Sequence, residues 1–357
     1  MEKNKCTVVI PTYNRPAHLK RILSYYHQYG CGLPLIIADS SSVESKRINQ
    51  ETVSSFHDAP FTYLDRYDPS TNPYYKFLQA LLYVNTEYCV FCADDDFITP
   101  HGILESCDFL DINTDYTAAH GKLEYLLLES DRGDGPQFCY VKHHSPSNTN
   151  REGNKRLIHE LANYEGVSFY AVRHTDFMRL LFTEVLKSTS GHLFSELLVP
   201  GLTAIYGKIK CLDTLFWVRE ICTPASLINT REHPGLQEII NNKNFQENKQ
   251  TFSDFMADHL SKQSGIDKEE SYKIVDKALS LHMKHYSAPI HKINRMLTDL
   301  KLPFWLDHGI RKLYRSTSLL FSPSDSAYCR TAKYDEDLDQ IRRCVLANAK
   351  EVYGLNP

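Results

Sequence analysis

Three consecutive aspartates, Asp94, Asp95 and Asp96, follow a short apolar run and are the strongest chemical feature of the sequence. Adjacent carboxylates repel one another, so a fold that gathers them usually neutralises them with a cation. Oxygen ligands favour a hard divalent ion, Mg²⁺ or Mn²⁺, which keeps open positions for the phosphate oxygens of a substrate. The alternative is a solvated acidic turn in which Asp96 caps the following helix.

Polar residues also follow other predicted strands of the first hundred residues. Apolar runs at 7–10, 35–38 and 88–92, with a weaker one at 61–64, alternate with helical patterns. That alternation is typical of βαβ units and a mainly parallel sheet. We expect Thr12 or Asn14 to cap the first helix, which stops at Gly30. Ligands bind at the carboxyl ends of strands in open α/β sheets, so residues 12–15, 39–42 and 94–96 are expected to share one site.

Composition narrows the class of protein. The chain has 357 residues, of which 42% are hydrophobic and 24% charged, values typical of a folded globular protein. Its net charge of -4 excludes a chain-wide basic field for nucleic acid. The first residues lack a signal-peptide core, no apolar window is long enough to cross a bilayer, and the 10 cysteines are scattered. We therefore expect a cytoplasmic protein with reduced thiols and no nucleic-acid partner.

Three segments together resemble glycosyltransferase family 2, the GT-A-fold enzymes that use nucleotide-sugar donors. They are Val-Val-Ile-Pro-Thr-Tyr-Asn-Arg at 8–15, Ile-Ile-Ala-Asp-Ser-Ser at 36–41, and Phe-Cys-Ala-Asp-Asp-Asp-Phe at 91–97 with Pro100. Their order and spacing both fit the family. The resemblance implies an α/β, GT-A-like catalytic domain, with a mixed, mainly parallel sheet flanked by helices, over residues 1–235. Strand patterns fade after this point, so we expect a helical C-terminal region at 236–357 with an acceptor, oligomer or membrane-surface role.

The resemblance assigns roles to residues of these segments. It implies that Asp39 contacts the nucleotide base, commonly uracil, and that the aspartates form a DXD-type motif. Counting back from Pro100 matches Asp95 to the metal-ligand aspartate and leaves open whether Asp94 or Asp96 takes the second role. Lys76 is expected to contact the donor, with a solvated helix lysine as the alternative. The residues implied to line the nucleotide pocket are Pro11, Thr12, Tyr13 and Arg15.

The resemblance also implies a catalytic base. Ser195-Glu196, followed by Gly207-Lys208-Ile209, fits the family spacing of an acidic pair before a helix, so Glu196 is the candidate base. A carboxylate placed at a helix N-terminus is the alternative. The family often supplies a later histidine as a metal ligand, but Arg219-Glu220 stands at that spacing here. His233 is the nearest histidine and a candidate ligand, with a surface loop histidine as the alternative; Arg231 is a candidate for binding the diphosphate.

Two remaining patterns have weaker chemical implications. Cys89 and Cys92 show a metal-like spacing, but no second pair accompanies them, and residues three apart on a strand point to opposite faces. We expect both to be core thiols. Basic and aromatic residues interleave over 304–321, which suits a helix lying on an anionic membrane surface; a helix with one core-facing side is the alternative.

These features together predict a metal-dependent, inverting glycosyltransferase that uses Mn²⁺ or Mg²⁺. We expect it to move a sugar, from a UDP-sugar, to a glycan or lipid-linked acceptor of a bacterial surface polysaccharide, at the inner face of the membrane and as a homo-oligomer. A nucleotidyltransferase acting on a sugar phosphate is one alternative, although residues 12–15 are not the Gly-rich loop that such an enzyme needs. A non-catalytic relative that binds nucleotides or glycans is the other.

Overall fold

A computed structural model of the protein describes residues 5–129, 137–143, 146–188, 191–221, 244–286 and 332–353. The first part of the chain alternates strands and helices. Its elements are β1 (Cys6–Thr12), α1 (Pro16–Tyr29), β2 (Leu35–Asp39), α2 (Val43–Ser54), β3 (Phe61–Leu64), α3 (Pro73–Leu81), β4 (Tyr88–Phe91), β5 (Phe97–Ile98), α4 (Pro100–Ile112), β6 (Tyr116–Glu129), β7 (Gln137–His143), α5 (Gly153–Ala162), β8 (Arg173–His174), α6 (Thr175–Lys187), α7 (Gly191–Tyr206) and β9 (Lys208–Ile221). Helices follow, namely α8 (Phe245–Ser264), α9 (Lys268–Tyr286), α10 (Ala332–Ala347) and α11 (Ala349–Tyr353).

The larger sheet has the strand order β3-β2-β1-β4-β8. Strand β1 runs parallel to both of its neighbours, β2 and β4, and β3 is parallel to β2, whereas the short β8 is antiparallel. The carboxyl ends of β1, β2 and β4 therefore meet at one edge of the sheet, where Thr12 pairs with Asp39. This arrangement confirms the predicted α/β fold with parallel strands.

A second sheet, with the order β5-β9-β6-β7, holds the loop that follows β4. The two residues of β5, Phe97 and Ile98, come directly after the aspartates and pair antiparallel with Val218 and Trp217 of β9. Strand β9 is parallel to β6, and β6 is antiparallel to β7. This pairing brings the end of β9 beside the aspartate loop, although more than 100 residues separate them in sequence.

Both faces of the larger sheet are buried in separate hydrophobic clusters. Val8 and Ile10 belong to one cluster and Val9 to the other, as expected for alternate residues of a strand covered on both sides. Cys92 and Cys89 are divided in the same way, one in each cluster, and both are buried. The prediction that they are core thiols is therefore confirmed.

The C-terminal helices pack against both sides of the first region. Met256 of α8 and Val275 of α9 share a cluster with Leu157 of α5 and Leu198 of α7. Ile341 of α10 lies in the other cluster, next to α1. This confirms a helical C-terminal region, while the boundary at 235/236 and the segment 304–321 lie outside the described residues. None of the described helices is long and apolar enough to cross a membrane.

Neither the predicted cap of α1 nor the alternative cap of α4 is present. Helix α1 begins with Arg15 at the N-cap position and no side-chain cap, because Asn14 takes a left-handed conformation (φ 53) and its side chain is used in the turn. Pro16 does open the helix, and Gly30 ends it, as predicted. Helix α4 is capped by Thr99, whose Oγ1 accepts from the Gly102 N–H at 3.1 Å. The acidic-turn alternative, in which Asp96 is that cap, therefore does not hold.

Candidate active site

The ends of β1 and β2 are joined by hydrogen bonds of Asn14. Its N–H donates to Ser41 Oγ at 2.7 Å, and its side-chain Oδ1 accepts from the Ser42 N–H at 2.8 Å. Asparagine tolerates the left-handed conformation that this turn requires. The turn leaves Tyr13 half exposed at the edge of the sheet, and Pro11 is half-buried. The four residues predicted to line the nucleotide pocket thus lie at the end of β1 and in the turn that follows it.

Arg15 supplies the positive charge between two of the aspartates. Its Nη1 lies 3.3 Å from Asp94 Oδ1 and 2.5 Å from Asp95 Oδ2. Thr12 Oγ1 donates to the other oxygen of Asp94 at 2.7 Å. Burial, together with the charge of Asp95, raises the pKa of Asp94 to about 6, against the opposing effect of Arg15. A guanidinium group therefore provides in this structure the neutralising charge that the sequence leads us to expect from a metal ion.

The three aspartates lie in three different environments. Asp94 is buried beneath Arg15, and the Asp95 side chain keeps 23% of its surface exposed. Asp96 is buried, with its Oδ2 accepting from Trp217 Nε1 at 3.0 Å and its Oδ1 from the Glu220 N–H at 3.1 Å. Burial and the neighbouring charge of Asp95 raise the pKa of Asp96 well above its ordinary value. Asp96 thus joins the loop to β9, whereas Asp95 faces outward.

The donor atoms fit a divalent cation held mainly by one carboxylate. Asp95 Oδ1 has no hydrogen bond to any described residue, and a hard cation can take one or two carboxylates while substrate phosphates and water fill the other positions. Within the described ranges, no three or more His, Cys, Asp or Glu side chains are grouped so as to hold a metal ion. Two further predicted residues, the metal-ligand candidate His233 and the diphosphate-binding candidate Arg231, lie outside the described residues.

Lys76 is buried at the same edge of the sheet and is 5% exposed, so the solvated-lysine alternative is wrong. Its Nζ donates to Ser40 Oγ at 2.8 Å and to the Thr12 carbonyl oxygen at 3.2 Å. Burial lowers the pKa of Lys76 to about 8, although the charges of Asp94 and Asp39 oppose this change. A buried ammonium group bonded to neutral oxygens has capacity left to attract an anion.

Asp39 is fully buried and bonded within the protein. Its Oδ1 accepts from the Ser41 N–H at 2.7 Å, and its Oδ2 accepts from Asn49 Nδ2 at 2.7 Å and Tyr63 Oη at 2.6 Å. Because α2 supplies Asn49 and β3 supplies Tyr63, this carboxylate fixes the turn after β2. In the structure, Asp39 holds the end of β2 in place through these buried hydrogen bonds.

Glu196 lies in the second turn of α7, so the alternative of a carboxylate at a helix N-terminus does not apply. Its side chain is half-buried, and its Oε1 accepts from Tyr164 Oη at 2.9 Å. Tyr74 is a further neighbour, since burial and then the charge of Glu196 raise its pKa. A carboxylate held by a neutral donor among tyrosines is a suitable proton acceptor.

Tyr170 is affected by the negative charges of both Glu196 and the aspartates. Its burial, followed by the negative charges of Asp96 and Glu196, holds the pKa of Tyr170 well above its ordinary value. The Tyr170 ring lies 4.6 Å from the ring of Trp217, which bonds to Asp96. Both acidic groups therefore lie within electrostatic range of one tyrosine.

Several residues of this site were not predicted from the sequence. Arg21 donates to the carbonyl oxygen of Asp95 at 2.9 Å and to Glu220 Oε2 at 2.6 Å, and Tyr353 Oη donates to the same Glu220 oxygen at 2.5 Å. Tyr164 was also missed. One signal was available, because Arg219-Glu220 stands at the spacing where the resemblance implies a site histidine.

The chain is similar to known glycosyltransferases. Residues 7–145 match the model of glycosyl transferase family 2. Among solved structures, residues 1–349 of S. aureus TarS in complex with UDP-GlcNAc share 13% identity, with 98% of this chain and 82% of that chain covered and a TM-score of 0.47. The mannosyltransferase PcManGT from Pyrobaculum calidifontis, in complex with GDP-Man and Mn²⁺, shares 10% identity, with coverage of 97% and 87% and a TM-score of 0.42. No curated protein matches the sequence.

The matched segment contains the residues that meet at the edge of the larger sheet, from the turn after β1 through Asp39 and Lys76 to the three aspartates. Its strands β1, β2, β3 and β4 pair in parallel, as in an open α/β sheet whose ligands bind at the carboxyl ends of the strands. The chain is therefore similar to glycosyl transferase family 2 over residues 7–145, the segment that forms this edge of the sheet.

Proposed function

We propose that the protein transfers a sugar from a UDP-sugar to a hydroxyl group of a glycan or lipid-linked acceptor, with inversion at the anomeric carbon. One observation carries this proposal: Arg15, Asp95 and Lys76 gather at the edge of the sheet where the parallel strands end. The proposed pathway is synthesis of a bacterial surface polysaccharide.

The donor nucleotide would lie across the ends of β1 and β2. Tyr13, with 51% of its surface exposed, can stack on the base, while Asp39 holds Ser41 and Tyr63 in the pocket wall. A direct bond from Asp39 to uracil requires one of its internal partners to move aside. Lys76 would bind the diphosphate, because its buried charge is bonded to neutral oxygens.

Asp95 is the residue that would hold a divalent cation, Mg²⁺ or Mn²⁺. Such a cation, when bound, stabilises negative charge on the departing diphosphate. Asp96 would have to give up Trp217 and Glu220 to join as a second ligand, so we assign this role to Asp95 alone. Arg15 would then turn from Asp95 to the phosphate oxygens, where a guanidinium can bond two oxygens at once.

Glu196 would act as the general base. Its carboxylate takes the proton of the acceptor hydroxyl as that oxygen forms a bond to the anomeric carbon. The bond from the same carbon to the diphosphate breaks on the opposite face, and a nucleoside diphosphate leaves with the electron pair. Tyr164 holds Glu196 through its hydroxyl group and so orients the carboxylate toward the acceptor.

Calorimetric titration tests the donor site. The protein is titrated with UDP, GDP, CDP and ADP, each with Mn²⁺ and with EDTA. We expect binding of UDP that depends on the metal and is lost in Asp95→Ala. If none of the four binds under either condition, the proposed donor site is wrong.

Two further predictions concern partners. Co-sedimentation with anionic vesicles tests membrane attachment through segment 304–321, and recovery of the protein in the supernatant alone would exclude it. Sedimentation equilibrium tests the predicted homo-oligomer, which a monomeric mass would exclude.

A further inference from the structure

The C-terminal helix α11 reaches the aspartate loop through a buried ion pair. Tyr353, at the end of α11, donates from Oη to Glu220 Oε2 at 2.5 Å, and Arg21 Nη1 donates to the same oxygen at 2.6 Å. Arg21 and Tyr353 are also hydrogen-bonded to each other. The second arm of Arg21, Nη2, donates to the backbone oxygen of Asp95 at 2.9 Å. Helices α1 and α11 and strand β9 thus meet behind Asp95.

The same ion pair also fixes Asp96. The backbone N–H of Glu220 donates to Asp96 Oδ1 at 3.1 Å, so two of the three aspartates are bonded to the pair. The guanidinium of Arg21 lies over the ring of Phe97, the residue after Asp96, at 4.9 Å from its centroid. The backbone around Asp95 is therefore held on both sides of the residue.

Because the ion pair between Arg21 and Glu220 is buried, it contributes little to the stability of the fold but can hold the neighbouring backbone in place. The Arg21 and Glu220 side chains are 0% and 2% exposed, and both Arg21 Nε and Glu220 Oε1 lack a hydrogen-bond partner among the described residues. Buried charges that keep unsatisfied atoms recover little free energy relative to an apolar replacement. What the pair does provide is a fixed direction for the Asp95 backbone.

We propose that Arg21, Glu220 and Tyr353 are positioning residues for Asp95, and that the C-terminal segment 332–353 is therefore part of the donor site. This inference rests on the proposed function, in which Asp95 meets a divalent cation and the diphosphate of a nucleotide donor. The three residues touch neither ligand and act through the loop that carries Asp95. Segment 332–353, which lies outside the family match over residues 7–145, thus completes the site.

A second link between the same helices provides a matched control. Lys20 Nζ of α1 donates to Glu351 Oε2 of α11 at 2.7 Å, with both side chains nearly half exposed. This pair joins α11 to α1 but makes no hydrogen bond to residues 93–97. A purely structural role of α11 predicts similar effects from losing either link, whereas positioning predicts an effect only from losing Tyr353.

The experiment compares Tyr353→Phe with Glu351→Gln in two measurements. Tyr353→Phe keeps the ring and removes only the hydroxyl group. Hydrogen–deuterium exchange of the unliganded protein should be several-fold faster over residues 93–97 in Tyr353→Phe and unchanged in Glu351→Gln. Calorimetry with UDP and Mn²⁺ should show affinity roughly tenfold lower in Tyr353→Phe, with Glu351→Gln equal to the wild type.

The two measurements separate the inference from the proposed function. Exchange over 93–97 that is the same in Tyr353→Phe and wild type, or equally accelerated in Glu351→Gln, would overturn the inference whatever nucleotide binds. Faster exchange specific to Tyr353→Phe supports it even if the wild type binds no nucleotide, a result that would instead overturn the proposed function.

Discussion

The aspartate end of the site and Glu196 are both acidic, yet their surroundings differ. Asp95 is bonded to Arg15 through its side chain and to Arg21 through its backbone, so charged groups fix its position. Glu196 is held by the neutral hydroxyl group of Tyr164. A carboxylate fixed between cationic groups is suited to hold charged ligands, whereas one held by a single neutral donor keeps lone pairs free to accept a proton from a substrate. The comparison assigns binding to the first region and proton transfer to the second.

Of the substitutions considered, Glu196→Gln should lower turnover the most. The amide keeps the shape and can still bond Tyr164, but it cannot accept a proton from the acceptor. Turnover should fall by roughly 10²- to 10⁴-fold while nucleotide affinity stays the same. The measurements are the rate of sugar transfer and calorimetry with UDP. Glu51→Gln is the control, since Glu51 is an exposed carboxylate that pairs with Arg47 on α2; wild-type turnover in Glu196→Gln would remove Glu196 as the base.

Asp95→Asn should lower nucleotide affinity, whereas Asp96→Asn should lower the stability of the fold. Asp95→Asn should lose the metal-dependent part of nucleotide affinity, on the order of tenfold or more, with little change in stability. Asp96→Asn offers one acceptor oxygen to two buried donors, Trp217 Nε1 and the Glu220 N–H. It should lower the free energy of unfolding by about 1–3 kcal/mol. Urea unfolding and calorimetry on both variants test this, and the opposite pattern would reverse the assignment of metal binding to Asp95.

Lys76 links nucleotide binding to pH. Its pKa is lowered from 10.5 to about 8 in the folded protein, so its charge, and with it nucleotide affinity, should decline as the pH rises from 7 to 9. Lys76→Arg keeps its charge over this range and should show a flatter dependence. Calorimetry at several pH values distinguishes them. Parallel curves for the two proteins would show that another group causes the decline.

The same lysine should lower stability while serving binding. Between pH 8 and 10.5 the unfolded chain holds a proton on Lys76 that the folded protein has lost, so stability rises with pH across this window. Lys76→Met lacks that rise and should be more stable than the wild type at pH 7 by up to about 3 kcal/mol, at 1.36 kcal/mol per pKa unit. Urea unfolding at pH 7 and 10 measures both effects; a less stable Lys76→Met at pH 7 would contradict them.

The sequence predicts the aspartate end better than its supports, for a physical reason. The strand ends at Thr12, Asp39 and Asp94 are visible because apolar runs and polar ends are local patterns, and parallel pairing brings such ends together. Arg21 reaches Glu220 across 199 positions and Tyr353 across 332. No local period encodes contacts of that range.

The roles of individual residues also depend on burial, which is determined by contacts between segments that are distant in sequence. The sequence leaves open which neighbour pairs with Asp95, and the pairing of β5 with β9 is what turns Asp96 toward Trp217. The burial of Lys76 likewise depends on how α3 packs on the sheet, which its own segment does not specify. Spacing could place Glu196 on the list of candidates, but its tyrosine partner comes from the loop after α5.

Tyr164→Phe should have the smallest effect, and it tests how the neutral hydrogen bond to Glu196 contributes to turnover. Removing the hydroxyl group takes away the hydrogen bond that orients the Glu196 carboxylate. The rate of sugar transfer should therefore fall by about tenfold, since a hydrogen bond to a charged group contributes roughly 1.5 kcal/mol or more. UDP affinity, measured by calorimetry, and the free energy of unfolding, measured in urea, should stay close to wild type. Tyr75→Phe, at an exposed tyrosine of α3, is the control. A loss of stability as large as the loss of rate would indicate that Tyr164 supports the fold around α7, because a bond that only orients the base changes the rate without changing the fold.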